Sequence, residues 1–311
     1  MGCLEPAVSA TFLLPVYNGA ATLAEAVESV LAQDDPEFEL LLIDDASTDG
    51  SAAIADRYSS RDPRVRAVIH QRNSGLASTL NEGLELASNE LVLRMDQDDV
   101  SLPMRLRVQR EFMEAHPAVA VAGSWVFHMG AEQRFDRLVE LPTTSRSIAE
   151  RLQRENCLYH PSVAMRRSVV IDLGGYRSEF HNAEDYELWL RVSHEYDLAN
   201  VAEPLLRYRF SLGGMTLSRK WEQLFYVHLA QEVNRAEGVS LEEARERATL
   251  AMRAVDRRWF MDQVARGTAS ELARLHLWQE ALRLVRVFAS DIGPVAASGI
   301  ALSVLAARIR P

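Results

Sequence analysis

Asp96, Asp98 and Asp99 follow directly on the apolar run Leu91-Val92-Leu93-Arg94-Met95 and stand just ahead of Pro103. Carboxylates crowded at the end of a buried strand repel one another and lose hydration, so the cluster is costly unless a cation or a polar ligand sits among them. Hard divalent cations take oxygen ligands, and Mg2+ commonly uses one or two protein carboxylates while substrate phosphates and water complete its shell. Asp96 and Asp98, two positions apart, would point to the same side of an extended segment. The competing reading is structural. Asp98 and Asp99 would then cap a helix opened by Pro103, since Asp favours helix starts and Pro the first turn.

The spacing of apolar residues gives the elements that must carry this cluster. Residues 10–16 read as a buried strand and Tyr17-Asn18-Gly19 as a turn, and Thr22 with Glu25 has capping-box spacing for a helix reaching about Gln33. The unit then repeats: a strand over 39–43, the polar turn from Asp44 to Gly50 and a helix over 51–58; a strand over 65–69 and a helix over 75–87; a strand over 91–95 and a helix over 103–116. Such alternation predicts an α/β fold with a mostly parallel central sheet covered on both faces, and ligands of these sheets bind where strand carboxyl ends meet loops. Tyr17-Asn18, Asp44-Asp45 and Asp96 to Asp99 all fall at those ends, so one crevice would collect them. Each cluster taken singly also reads as a turn former.

Beyond a strand over 119–127 the alternation weakens, with strands expected near 162–166, 198–201 and 205–210. A helix is expected over 183–194, where the opening Glu184-Asp185 suits the helix dipole. From Arg219 helical periodicity dominates, with Trp221, Leu224, Phe225 and Val227 supplying an apolar face. The chain therefore divides into a domain over 1–218 and a helical C-terminal region over 219–311.

With 311 residues, 48% hydrophobic and 25% charged, the chain can build a substantial core. Its net charge of −10 is uneven: residues 1–218 hold 20 Lys+Arg against 33 Asp+Glu, and residues 219–311 hold 14 against 11. The acidic part argues against a nucleic-acid groove and is compatible with an anionic small molecule where metal and local Arg offset repulsion. Two cysteines, Cys3 and Cys157, are too few for a disulfide framework and fit a reducing cytosol. The start, Met1 to Pro6, lacks a basic segment followed by an apolar one, so no secretory signal is expected, and Pro6 stands where a myristoylation site after Gly2 wants Ser or Thr. Residues 292–307 carry no charge, but these sixteen fall short of the roughly 20 that span a bilayer, and Gly293-Pro294 interrupts them. They read as a packing helix or as a membrane-surface helix ending in Arg308 and Arg310.

Seven segments in this order resemble the motifs of the inverting family 2 glycosyltransferases of bacterial polysaccharide type. They are Leu14 to Asn18, Ile43 to Gly50, Asn73 to Ala77, Arg94 to Asp99, His160 to Val163, Gly174-Gly175-Tyr176 and Ala183 to Trp189, within about residues 10–212. The resemblance implies a GT-A, Rossmann-like fold and transfer of a sugar from a nucleoside diphosphate, UDP before others, to a hydroxyl of a glycan or lipid-linked acceptor. It implies that Pro15, Val16 and Tyr17 line the nucleobase pocket, that Asp45 hydrogen-bonds the base, and that Asn73 and Gly75 lie near base and ribose. Asp96 would serve the ribose side, Asp98 would ligate Mn2+ or Mg2+, and Asp99 would support them. Asp185 is implied as the general base, with Glu184 orienting it or the acceptor. Many relatives carry Arg just before the Asn corresponding to Asn81; this chain has Leu80, and Arg72 or Arg94 is expected to supply the charge. Many also carry a His shortly after a Tyr-Arg pair, where Tyr208-Arg209 is followed here by Phe210 and Ser211.

His160 reads as an acceptor contact or a structural hydrogen-bonder, and Trp189 as core. The expected setting is the cytoplasm, peripheral at the inner face of the plasma membrane through the C-terminal helices, with self-association left open. Two alternatives remain at this level. A sugar nucleotidyltransferase would want a Gly-rich phosphate loop where Pro15 to Gly19 stands, and a catalytically silent nucleotide-binding scaffold would have little use for both Asp98 and Asp185.

Overall fold

All seven residues of the first strand are buried, and a strand apolar on both faces belongs in the middle of a covered sheet. The computed structural model describes residues 10–129, 136–209, 220–235, 238–275 and 278–309. Gly2, Cys3, Pro6, Phe210, Ser211, Arg219 and Arg310, singled out above, lie outside the described residues. In chain order the elements are β1 (Ala10–Val16), α1 (Leu23–Leu31), β2 (Phe38–Asp44), α2 (Ser51–Ser59), β3 (Val65–Ile69), α3 (Leu76–Leu86), β4 (Leu91–Arg94), β5 (Val100–Ser101), α4 (Arg105–Ala115), β6 (Val119–Met129), β7 (Asp136–Val139), α5 (Ser145–Leu152), β8 (Ala164–Arg166), α6 (Arg167–Asp172), α7 (Glu184–Val192) and β9 (Asp197–Arg209). Then come α8 (Lys220–Arg235), α9 (Leu241–Ala254), α10 (Arg257–Arg274), α11 (Trp278–Ile292) and α12 (Pro294–Ile309).

The sheet runs β3-β2-β1-β4-β8-β6-β9-β5. Its first half is parallel: β1 pairs with β2 from Ala10↔Phe38 to Val16↔Asp44 and with β4 on its other side, and β2 pairs with β3. From β8 onward it turns antiparallel, β8 bonding both β4 and β6. The segment bearing Asp96, Asp98 and Asp99 leaves central β4 and enters β5, which pairs with β9 at Val100↔Arg207 and Ser101↔Leu206. Both ends of the acidic loop are thus tied into the sheet.

Helices cover the parallel half because apolar residues recur on one face of each. Leu23, Ala26, Val27 and Val30 of α1 join Phe12, Leu14, Leu40 and Leu42 in one core, where each fully buried large side chain contributes about 1.5–3 kcal/mol. On β1, helix α3 comes so close that a methyl on Gly83 would land on the Leu13 side chain. Thr22 stands at the N-cap of α1, but its hydroxyl turns to the Gly19 carbonyl and does not cap the helix. Helix α4 begins at Arg105 behind Met104, so neither Asp98 nor Asp99 occupies its N-cap.

Strand–helix alternation through residue 115 follows the apolar spacing. One expectation differs: β9 runs through Pro204 as a single strand, Asp197–Arg209, where two were expected.

Two compact units emerge, one of residues 1–127, 138–179 and 184–208, the other of 128–137, 180–183 and 209–311. The second unit therefore takes in more than the helical stretch over 219–311. Its core is built of small residues, with Met261, Ala265, Ala269 and Leu272 of α10 packed on Ala281, Leu284 and Val285 of α11 and Ala297, Ile300 and Val304 of α12. Ser240 and Asp256 cap α9 and α10 by accepting the Glu243 and Trp259 N–H groups. Buried Glu271 receives His128 Nδ1 at 2.7 Å and Arg137 Nε at 2.6 Å, tying those two residues to α10 within this unit. No helix among the described residues is long and apolar enough to cross a membrane.

Candidate active site

Everything that follows in this site belongs to the first unit. Where β1 and β2 end, their loops are zipped by side chains onto main chain. Ser47 Oγ accepts the Asn18 N–H, Ser51 Oγ the Gly19 N–H and Asp49 the Ala20 N–H, each at 2.9 Å, while Asn18 Oδ1 accepts the Thr48 N–H at 2.8 Å. Asn18 and Ala46 hold left-handed backbone, φ 51° and 61°, which for alanine is a strained choice found most often at functional loops. Pro15 and Val16 are buried and Tyr17 is 51% exposed, so of the three residues expected at the nucleobase it is Tyr17 that stands open at the strand end.

Asp45 is buried and organises the loop after β3. Its Oδ1 accepts Ser74 N–H at 2.8 Å and Ser74 Oγ–H at 3.0 Å and meets His70 Nδ1 at 2.9 Å; its Oδ2 accepts the Gly75 N–H at 2.8 Å. Asn73 Nδ2 reaches the Asp45 carbonyl, and His70 Nε2 extends the chain to Glu82 at 2.8 Å. Burial alone would raise Asp45, but the Ser74, His70 and Gly75 donors outweigh it and hold the carboxyl below its usual range. For His70, burial is outweighed by Asp45 and Glu82, and the imidazole titrates above its ordinary value. Arg72 and Asn73 are exposed beside this network. Leu80 is fully buried, so no cation could replace it without desolvation; of the two arginines expected to substitute, Arg72 is open to solvent and Arg94 is 2% exposed.

Carboxylate oxygens of Asp96, Asp98 and Asp99 lie within 4.8 Å of one another, an all-oxygen donor set that suits Mg2+ or Mn2+. The three are not equivalent. Asp96 is paired with Arg94 Nη2 at 2.5 Å, Asp96 and Asp98 are partly open, and Asp99 is 1% exposed. Between Asp96 and Asp98, the Gln97 amide accepts the Tyr17 N–H at 2.8 Å and donates to the Tyr17 carbonyl at 3.0 Å. A methyl on Gly19 would fall on that amide. Beneath lie two buried guanidiniums. Arg105 donates through Nη2 to the Arg94 carbonyl at 2.7 Å and through Nε to Gln109 at 2.9 Å. Burial pulls Arg105 down to about 9, with Asp99 resisting and Arg94 assisting. Arg94 is held charged against its burial by Asp96, Tyr176 and Asp99.

Helix α7 brings the second acidic group. Glu184 is buried and Asp185 partly exposed; Asn156 Nδ2 donates to Asp185 Oδ2 at 2.8 Å and the Tyr186 N–H to Oδ1 at 2.7 Å. Burial pushes Glu184 up to about 7, the Asp185 charge adding to it. Burial raises Asp185 as well, opposed by the Tyr186 N–H and the Arg94 charge. Arg94 thus acts on both carboxylates of α7 and on Asp96, and Tyr176 feels Arg94, Asp185, Glu184 and Asp96 alike. The acidic loop after β4 and the opening of α7, far apart in sequence, share one electrostatic neighbourhood.

His160 is buried, shares a 2.9 Å hydrogen bond between Nε2 and the Tyr176 hydroxyl, and is kept neutral by burial and by Arg94. Tyr176 is fixed in turn by Asn81, whose amide accepts its N–H at 2.7 Å and donates to its carbonyl at 2.8 Å. Trp189 is fully buried with its ring edge-on to His160 at 5.9 Å. Sequence reasoning missed Gln97, Asn156, Tyr176 and His70 as site-builders. It also missed Arg105 with Gln109, although their i, i+4 spacing beside Leu106 and Met113 put two polar residues on the apolar stripe of α4.

Comparison with known proteins agrees with this arrangement. The family model described as glycosyl transferase family 2 matches residues 11–174. The amylovoran biosynthesis glycosyltransferase AmsE of Erwinia amylovora is 32% identical over 216 residues, covering 68% of this chain and 80% of that protein. Among solved structures, S. aureus TarS 1–349 in complex with UDP-GlcNAc matches with TM-score 0.61 at 16% identity over 95% of this chain and 89% of that one. The mannosyltransferase PcManGT of Pyrobaculum calidifontis, in complex with GDP-Man and Mn2+, matches with TM-score 0.59 at 18% identity over 97% and 81%. A parallel sheet bearing acidic clusters at its carboxyl ends, a family match across more than half the chain and these likenesses of fold lead to one assignment: the chain is a glycosyltransferase of family 2 with the GT-A fold.

Proposed function

We propose that this glycosyltransferase moves a sugar from a nucleoside diphosphate, UDP before others, to a hydroxyl of a glycan or lipid-linked acceptor in cell-surface polysaccharide synthesis, with inversion at the anomeric carbon. What supports the reading is the oxygen cluster Asp96–Asp98–Asp99 at the end of β4, together with the Glu184–Asp185 pair opening α7, where Asn156 and the Tyr186 N–H fix Asp185. Residues Pro15, Val16, Tyr17, Asp45, Arg72, Asn73 and Gly75 form the nucleoside and diphosphate side, Asp96 serves the ribose, and Asp98 holds Mn2+ or Mg2+. A divalent ion at Asp98 would neutralise charge gathering on the departing diphosphate.

Asp185 takes the proton of the acceptor hydroxyl as its oxygen attacks the anomeric carbon from the side opposite the nucleotide. The carbon–oxygen bond to the diphosphate breaks as the new one forms, so no covalent enzyme intermediate is needed. A carboxylate raised by burial is a stronger proton acceptor than a solvated one, and general-base help is worth roughly 10²–10⁴ in rate. Glu184 orients the pair. The amylovoran enzyme supports a polysaccharide acceptor, and the UDP-GlcNAc and GDP-Man complexes support a nucleotide-sugar donor, with Mn2+ alongside the latter. The working place is the cytoplasm, at the inner membrane face where lipid-linked acceptors are found.

A thermal-shift panel of UDP-, GDP- and dTDP-sugars with and without Mn2+ tests the donor side. One nucleotide should stabilise the protein in a metal-dependent way, and Asp98→Asn should remove that dependence. Asp185→Asn should keep donor affinity while transfer falls by about 10²-fold or more. Transfer in the wild type should rise with pH as the Glu184–Asp185 pair, both members raised by burial, loses its proton. Stabilisation by no nucleotide, or full turnover in Asp185→Asn, would defeat the reading.

A further inference from the structure

We propose that Asn156 is a positioning residue for glycosyl transfer, whose amide fixes the plane of the Asp185 carboxylate that receives the acceptor's proton. This rests on the reading of Asp185 as base. Asp185 is the second residue of α7, and the N–H groups of a helix's first turn have no partner within the helix. One of them, that of Tyr186, donates to Asp185 Oδ1 at 2.7 Å, and from outside the helix Asn156 Nδ2 donates to Oδ2 at 2.8 Å. The other end of the Asn156 amide settles its orientation: Oδ1 accepts the Leu158 N–H at 3.1 Å, which turns the NH2 group to the carboxylate. Two donors on two oxygens oppose rotation of the carboxylate about its last side-chain bond. Each oxygen keeps a second lone pair, so a place for the acceptor's proton stays open.

Both side chains stand on backbone that is itself held. Cys157 and Leu158, next along from Asn156, are buried, and the Cys157 carbonyl accepts from Asn200 Nδ2 of β9 at 3.1 Å, a nitrogen that also donates to the Pro142 carbonyl at 2.8 Å. From α7 the Tyr186 hydroxyl donates to the Leu152 carbonyl at the end of α5. Asn156 itself is exposed. A hydrogen bond open to water contributes little to stability, so what this one supplies is direction. In the transfer step the acceptor oxygen bonds to the anomeric carbon, the electron pair of the broken bond leaves with the diphosphate, and the hydroxyl proton passes to Asp185. The Asn156 amide keeps its own protons throughout. A base aimed by a third group is the arrangement that activates weak nucleophiles, and a misplacement of about 1 Å can cost about 10²-fold in rate.

The test is steady-state kinetics of the full chain carrying Asn156→Ser, with the nucleotide sugar that the thermal-shift panel selects and a lipid-linked saccharide that the wild type extends; kcat, donor KM, acceptor KM and melting temperature are read together. The serine hydroxyl still accepts the Leu158 N–H as an ST turn but is too short to reach Asp185. Turnover should fall by about tenfold or more, both KM values should change less than about threefold, and the melt should stay within about 2 °C of wild type. Asn156→Asp keeps the size of the side chain and the Leu158 bond but turns the donor into an acceptor facing Asp185. It should lose at least as much turnover, and it carries the test should Asn156→Ser fail to fold. Wild-type kcat in either variant, a loss confined to acceptor KM, or a fall in kcat that comes only with a melt lowered by more than about 5 °C overturns the inference. If Asp185→Asn is inactive and both Asn156 variants transfer normally, only Asn156 has been misassigned; if Asp185→Asn turns over normally, the base reading has failed first.

Discussion

Gly19→Ala should loosen the donor side of the cleft without touching a ligand. The added methyl falls on the Gln97 amide, which must then leave both the Tyr17 N–H, 2.8 Å away, and the Tyr17 carbonyl at 3.0 Å. Both bonds are solvent-exposed, so each is taken at the low end of the usual range, about 0.5 kcal/mol, and the pair at about 1 kcal/mol. In a melt that corresponds to a drop of about 2–4 °C. In binding, where Tyr17 and the acidic loop must be ordered together, it corresponds to about fivefold weaker donor affinity. Gln97→Ala loses the same two bonds without any collision. The assay is therefore a double-mutant cycle of donor affinity and melting temperature. Each single variant should lose about 1 kcal/mol and the double no more than either, because all three abolish one clamp. A Gly19→Ala protein that melts and binds like wild type would refute the reasoning, as would losses that add in the double variant.

Two further outcomes follow from buried networks. His70 titrates above its ordinary 6.5 because of Asp45 and Glu82, so its contribution is fully present below about pH 6.5 and fades as pH rises through the folded-state value; melts of wild type and His70→Gln should differ by on the order of 1 kcal/mol at pH 6 and converge toward pH 9, and a gap independent of pH would contradict this. In the second unit, Glu271→Gln removes the anion shared by His128 and Arg137 and should cost about 2 kcal/mol, read as faster proteolysis of that unit; unchanged cleavage would show that Glu271 is no tie.

The parallel half of the sheet could be read from the sequence because its strands are long apolar runs ending in turn residues, a pattern fixed by burial on both faces. The antiparallel half is legible only in part. The strands expected over 119–127 and near 162–166 are present as β6 and β8, whereas Val100–Ser101 is too short to carry periodicity of its own and pairs with β9 through the hydrogen bonds that strand offers. The same division runs through the site. Asp96, Asp98 and the Glu184–Asp185 pair announce themselves as charge where an apolar run stops or a helix starts. Arg94 is one polar residue in Leu91 to Met95, which by pattern alone reads as an exposed position on a half-buried strand. Its 2% exposure is set by tertiary packing around the end of β4, where the Arg94 carbonyl is also held by Arg105. Asn156 and Asn81 are invisible for a different reason: their value lies in partners 29 and 95 residues away.

Gly83 sets a boundary on how this protein can change. The Leu13 side chain fills the space a methyl would need, so any larger residue at Gly83 must displace that side chain or shift α3 against β1. The rim segment that precedes α3, with Asn73 and Gly75, leads into a helix packed closely on Leu13 of β1. Substitutions that reshape the cleft should therefore be tolerated better away from the Gly83–Leu13 contact than at it.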